Sequence, residues 1–176
     1  MLADLNIYRN KKKTRNLLLM SAGVCVILGL TFIYGLGVFD AIFKAKVAAV
    51  SGILCLFMLI LLFKSVADLN DKSPIIALTK ETGNGKTAPL PKALGEFFWK
   101  DVQAIDKAKI GGDTLVVVNL INAEYYKTKL SKMFFNMAYD KNTNELHVSY
   151  SASEIDMTID ELYKTFVSYW KESQVS

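Results

Sequence analysis

Two uncharged apolar runs, Leu17 to Phe39 and Val47 to Phe63, stand close together behind a basic amino-terminal segment. Nothing else in the chain limits its folding so strongly. As helices rising about 1.5 Å per residue they are roughly 35 Å and 26 Å long, against a hydrocarbon core of about 30 Å. They predict two membrane spans, residues 17–39 and 46–64, in a transmembrane hairpin over 17–63. A cleaved signal peptide fits less well, because its apolar region is usually about 7–15 residues and no small-x-small cleavage site follows this run.

Charge orients the hairpin. The net charge of +4 is concentrated in residues 1–16, where Arg9, Lys11, Lys12, Lys13 and Arg15 stand against Asp4 alone. Basic residues flanking a first span tend to stay in the cytoplasm. The segment therefore reads as a basic cytoplasmic arm, with Asp40 to Lys46 as a short outer turn and residues 65–176 returned to the cytoplasm. Residues 74–176 hold 12 lysines and 13 acidic residues. That balance leaves no surplus for a phosphate-reading face and argues against nucleic acid as a partner.

Both cysteines, Cys25 and Cys55, fall inside the runs, so no disulfide framework is expected in the soluble part. Ser21, Cys25 and Gly29 recur at four-residue spacing in the first run, as do Ala48 with Gly52 and Ser51 with Cys55 in the second. Small residues so spaced let helix backbones approach, and these faces are expected to meet. Neither run holds an ionisable residue, so the hairpin reads as an anchor and not as an ion path.

The soluble segment reads as α+β. A helical extension through Lys64–Ser73 should end before Pro74. Ile75–Thr79 is a short strand, and Thr82–Pro91 is dense in turn formers and reads as a loop. Within it Gly85-Lys86-Thr87 copies the end of a phosphate-binding loop, but Lys80 stands where the first glycine belongs and prolines follow where a helix is required. An apolar aromatic stretch from Glu96 runs on to Ile110. Gly111-Gly112-Asp113 then turns the chain into Thr114–Ile121, the most β-prone segment, and the two form a hairpin. Its second strand is nearly continuous in apolar residues, which predicts cover on both faces.

Asn122 is placed to cap a helix over Ala123–Tyr139, in which Tyr126, Leu130, Met133, Phe134 and Met137 form a core stripe. Lys127, Lys129 and Lys132 occupy its outer side, within reach of anionic lipid. Glu145–Ser151 alternates, with Leu146, Val148 and Tyr150 inward and His147 on the polar face. Thr158 and Glu161 have capping-box spacing before a helix whose apolar face is Ile159, Leu162, Tyr163, Phe166, Val167 and Trp170. One histidine without a second histidine or a cysteine nearby in sequence gives no metal set, and no Ser–His–Asp pattern surrounds it. No catalytic residue, metal or cofactor is expected.

The basic start, the paired spans, Phe98-Trp99-Lys100-Asp101-Val102, the glycine hairpin, the lysine-rich segment Glu124–Tyr139 and the closing Ile159-Asp160-Glu161-Leu162-Tyr163 together resemble bacterial two-span inner-membrane proteins with a pleckstrin-homology-like cytoplasmic domain. The resemblance covers nearly the whole chain. It implies a small, strongly bent antiparallel sheet or partial barrel with a carboxy-terminal capping helix, from which this chain departs by one inserted amphipathic helix, Glu124–Tyr139, that would interrupt the sheet. It also implies seven strands, of which four are strong in the sequence and two more are expected within residues 80–97. Eukaryotic relatives of that fold often bind phosphoinositides through basic residues around the first hairpin, which puts Lys107 and Lys109 beside the lysines of the inserted helix as candidate lipid or partner contacts. The family has no assigned activity. The leading expectation is a non-enzymatic membrane-anchored interaction or scaffold module with a protein partner or self-association. Its rivals are an immunity or stress-protection protein against a membrane-active toxin, and a regulator that binds anionic lipid.

Overall fold

The structure, a computed structural model, describes residues 2–39 and 41–174. Asp40, the first residue of the expected outer turn, lies outside the described residues, as do the last two of the expected soluble domain. The chain divides into two compact units, Asn10–Lys72 and the pair of segments Met1–Arg9 and Ser73–Ser176.

The first unit is a pair of antiparallel helices, α1 (Lys11–Gly35) and α2 (Ala45–Asn70). Asn10 caps α1, its side chain accepting from the amides of Lys12 and Lys13, and α2 runs past the apolar run to Asn70 before the proline at 74. The helices touch through small residues. A Cβ on Gly35 would stand 2.6 Å from the Ala48 nitrogen, and one on Gly52 would stand 3.0 Å from the Phe32 ring. The Cys25 and Cys55 sulfurs are 3.9 Å apart, and Ser51 is buried with its hydroxyl turned back on the Val47 carbonyl. Ser21 is half-buried, whereas the position a Cβ would take on Gly29 is open space. The remaining perimeter is apolar and exposed, with Leu19, Met20, Ile53 and Phe63 among many such side chains. Water tolerates contiguous apolar patches of only a few hundred Å². Both helices are long and apolar enough to cross a membrane.

The second unit is a mixed α+β domain. Strands β1 (Leu5–Ile7), β2 (Ile76–Leu78), β3 (Thr82–Gly85) and β4 (Glu96–Phe98) form one antiparallel sheet in sequential order. Strands β5 (Val102–Ile110), β6 (Asp113–Leu120), β7 (Tyr139–Asp140) and β8 (Glu145–Tyr150) form another, ordered β5-β6-β8-β7. Four helices complete the unit: α3 (Pro89–Leu94), α4 (Ala123–Lys127), α5 (Lys132–Ala138) and α6 (Ile159–Ser173). One core joins both sheets and α6, uniting Ile76, Leu78 and Phe97 with Val116, Val118, Leu146, Val148, Leu162 and Phe166.

Four segments depart from the sequence expectation. Residues 1–16 are not a uniform arm: Leu5–Ile7 is a strand pairing Leu5 with Leu78 and Ile7 with Ile76, and Ile7 enters the core. Arg9 extends the attachment through a 2.8 Å ion pair with Glu154. The loop expected over Thr82–Pro91 holds β3, which falls where a further strand is expected within residues 80–97, and departs from expectation in opening α3 at Pro89. Its glycines are needed for close approach, because a Cβ on Gly83 would lie 2.4 Å from the Phe97 ring and one on Gly85 2.5 Å from the Tyr150 ring. Pro89 opens α3, where a missing amide hydrogen costs nothing. The stretch from Glu96 to Ile110 is broken by a 3-10 turn over Trp99–Asp101, which drives the Trp99 ring into the core and sends its indole nitrogen to the Thr79 carbonyl at 2.9 Å.

The fourth departure is the helix expected over Ala123–Tyr139, which breaks between Lys127 and Lys132. Ser131 starts α5 afresh by accepting from the Phe134 amide, while Asn122 holds the cap position of α4 without a side-chain bond. The break rotates the buried face. Phe135 and Ala138 point inward with Tyr126 and Leu130, and Met133 and Met137 turn out to solvent.

Other expectations match. The Gly111-Gly112 turn joins β5 to β6, both glycines having positive φ, and Val116, Val117 and Val118 are all buried, so both faces of β6 are covered. Leu146, Val148 and Tyr150 point inward. Thr158 and Glu161 form the capping box at α6.

That helix start carries a pH prediction. The Thr158 amide donates to Glu161 Oε2 at 2.7 Å and the Glu161 amide donates to Thr158 Oγ1 at 3.2 Å. Backbone donation from Thr158 holds the Glu161 carboxyl below its usual range, and the hydrogen bond from Lys107 does the same for Asp160. A depressed carboxyl contributes stability above its unfolded pKa of about 4 and loses it as pH falls through the folded value. Protection of the first-turn amides of α6, measured against the intrinsic exchange rate, is therefore expected to fall below about pH 4, and less so in Thr158→Ala. Exchange that follows only the intrinsic pH law in both proteins would contradict this.

Candidate functional site

Two concavities mark the domain. The first, of about 410 Å³, is assembled from four distant segments: Leu2, the β2–β3 turn at Lys80 and Glu81, the β4 end at Phe98, Trp99 and Lys100, and the last turns of α6 at Tyr169, Glu172 and Ser173. Its back is aromatic, with Trp99 and Tyr169 stacked at 6.2 Å. Its polar groups are largely engaged. The Tyr169 hydroxyl donates to the Ala3 carbonyl, the Glu172 carboxylate accepts from the Leu2 amide at 2.7 Å, and Ser173 donates to the Trp170 carbonyl. Burial pushes the Tyr169 hydroxyl upward. Two lysines and two glutamates, Lys80, Lys100, Glu81 and Glu172, bring balanced charge to its walls. Its size suits a small ligand. No local sequence motif announces it, because its walls come from both ends of the chain.

The second concavity, about 610 Å³, lies over α3, α5 and β8. Pro89, Leu90, Ile110, Phe134 and Met137 give it an apolar lining, and His147, Ser149 and Lys141 give it polar edges. His147 Nε2 stands 3.5 Å from Glu145 Oε2. It is a buried atom without a hydrogen-bond partner, as is Oδ1 of its cross-strand neighbour Asn119. Among the described residues no group of three or more histidine, cysteine, aspartate or glutamate side chains is placed to hold a metal ion.

The lysines singled out from sequence fall into two environments. Lys107 is tied to α6, with Nζ 2.7 Å from Asp160 Oδ1 and 5.4 Å from the Tyr163 ring centroid. The bond to Asp160 raises its pKa above the ordinary lysine value, but it is a rim pair between exposed groups. Lys109 is exposed near the end of β5 opposite Thr114. Lys127 and Lys129 lie on a shared aromatic surface: Lys127 pairs with Glu124 at 3.2 Å and stands over Phe135, and Lys129 donates to the Glu96 carbonyl and stands 4.8 Å from the Tyr125 ring centroid. Lys132 is exposed at the start of α5.

Beneath them sits the aromatic-x-Asp segment. Asp101 is buried and accepts the Tyr126 hydroxyl at 2.7 Å, and that oxygen accepts from the Phe98 amide at 3.1 Å. Burial pushes the Tyr126 hydroxyl far above its ordinary value. The motif thus fastens α4 to the end of the first sheet. Comparison with known protein families, with curated proteins and with solved structures returns no match.

Proposed function

We propose that the protein is a non-enzymatic interaction module anchored in the bacterial inner membrane, with both termini cytoplasmic and a pleckstrin-homology-like domain that binds a protein partner or a second copy. The observation that carries this reading is the exposed apolar perimeter of α1 and α2, both long and apolar enough to cross a membrane. Two helices without an ionisable residue in their apolar runs suit holding better than conducting. The two-sheet arrangement closed by α6 supports the pleckstrin-like reading, and the basic residues Lys11, Lys12, Lys13 and Arg15 at the start of α1 support a cytoplasmic amino terminus.

In-cell crosslinking of the tagged full-length protein tests it. A discrete adduct, either a homodimer or one identified membrane-associated protein, is expected and should disappear when residues 74–174 are replaced by an unrelated domain. Recovery of monomer alone across crosslinkers of different reach would overturn the reading.

A further inference from the structure

The break in the expected helix over Ala123–Tyr139 leaves an unusual surface. A continuous helix would hold Met133 and Met137 on the core stripe. The interrupted one leaves them 63% and 76% exposed. Exposed large apolar side chains are otherwise sparse in this unit. Among its described residues Tyr8 stands apart beside β1, Ile121, Tyr125, Met133 and Met137 fall within one segment, and Ile110 borders the same groove as Met137. Charge is segregated with them. Residues 123–141 carry Lys127, Lys129, Lys132 and Lys141 against Glu124 and Asp140, while the rest of residues 74–176 carries eight lysines against eleven acidic residues. An otherwise acidic domain thus concentrates its cations where its apolar side chains emerge.

We infer that α4 and α5 form a docking surface for the anionic lipid face of the bilayer that holds α1 and α2, with Met133 and Met137 entering the headgroup–acyl boundary and Lys127, Lys129 and Lys132 facing lipid phosphates. The inference rests on the membrane-anchored reading of the helices and is independent of any protein partner. Apolar side chains beside lysines are the composition of interfacial segments. Methionine is unbranched and adapts to an irregular boundary. The lysines' present partners, the exposed Glu124 and a backbone carbonyl, are ones that a phosphate oxygen can replace. Chain connectivity keeps the ligand in constant supply, since anchoring makes the encounter intramolecular.

Hydrogen–deuterium exchange of the full-length protein in nanodiscs tests the inference, comparing pure phosphatidylcholine with a mixture containing phosphatidylglycerol. Amides of residues 128–138 are expected to slow in the anionic discs by about fivefold for each lysine engaged. The slowing should vanish in 1 M salt and in Lys132→Glu/Met133→Ser/Met137→Ser, whose altered side chains are all exposed. Equal exchange in the two lipids would overturn the inference, as would slowing that appears only when discs hold two copies, which would mark a protein contact instead. Protection within residues 17–63 reads anchoring separately: if it holds in both lipids while 128–138 does not respond, docking fails and the anchored reading stands.

Discussion

Replacing Trp99 with alanine is expected to lower the stability of the domain by about 3–5 kcal/mol, the range for deleting a fully buried large aromatic side chain. The ring is completely buried and joins elements from three parts of the chain. It meets Phe97 edge-on at 5.0 Å and Phe166 edge-on at 6.0 Å, and it stacks on Tyr169 at 6.2 Å. Its indole also satisfies the Thr79 carbonyl. Small domains have total stabilities of about 5–15 kcal/mol, so the loss takes a large share of the margin. Urea unfolding of the full-length protein in detergent, followed by near-ultraviolet circular dichroism, measures the change. Trp170 provides the comparison, since its indole makes one bond to the Val102 carbonyl and the side chain is only partly buried. Trp170→Phe should cost about 1 kcal/mol. Equal midpoints for Trp99→Ala and wild type would refute the central placement of this ring.

Gly85→Val is expected to be nearly as damaging, with a cost of about 1–3 kcal/mol or more from overpacking. The added Cβ would stand 2.5 Å from Cε1 and 2.8 Å from Cδ1 of Tyr150. That ring has no route of retreat, because it is fully buried between Phe97 and Phe166. Burial already forces its hydroxyl pKa strongly upward, consistent with a site closed to water. Gly111→Asn is the contrast. Gly111 has positive φ with open space at the Cβ position, and asparagine tolerates that conformation. The same unfolding assay should separate the two variants. A Gly85→Val midpoint equal to that of Gly111→Asn would show that Tyr150 can yield.

Residues 82–91 show why part of this fold was hidden in the sequence. Thr82-Gly83-Asn84-Gly85 carries the residue types of a turn, and local reasoning assigns it to one. Its glycines are required because two aromatic rings from elsewhere lie across the strand, a fact settled by tertiary packing. Periodicity failed in a related way over Ala123–Tyr139: Leu130, Phe134 and Met137 fit a helical stripe, but Ser131 also fits an N-cap, and a new helix starting there has a different phase. Where pattern and packing agree the sequence was readable, as at Leu146, Val148 and Tyr150, at the glycine hairpin and at the Thr158 capping box. The lysines of the candidate surface were legible as a cationic group. Their apolar neighbours were not, since a continuous helix places the same methionines on the core stripe and only the break between Lys127 and Lys132 turns them outward.

Strand β1 precedes α1 in the chain and its neighbour β2 follows α2. During synthesis the first strand emerges long before its partner exists, and both apolar helices must be made in between. In a chain whose helices cross a bilayer, Leu5–Ile7 can reach Ile76–Leu78 only if the two segments have been delivered to the same compartment. A molecule inserted with one crossing missing would leave Ile7 without its core and the edge of β2 unpaired. Pairing of β1 with β2 thus ties the sequence before α1 to the sequence after α2, and in such a chain it requires an even number of crossings between them.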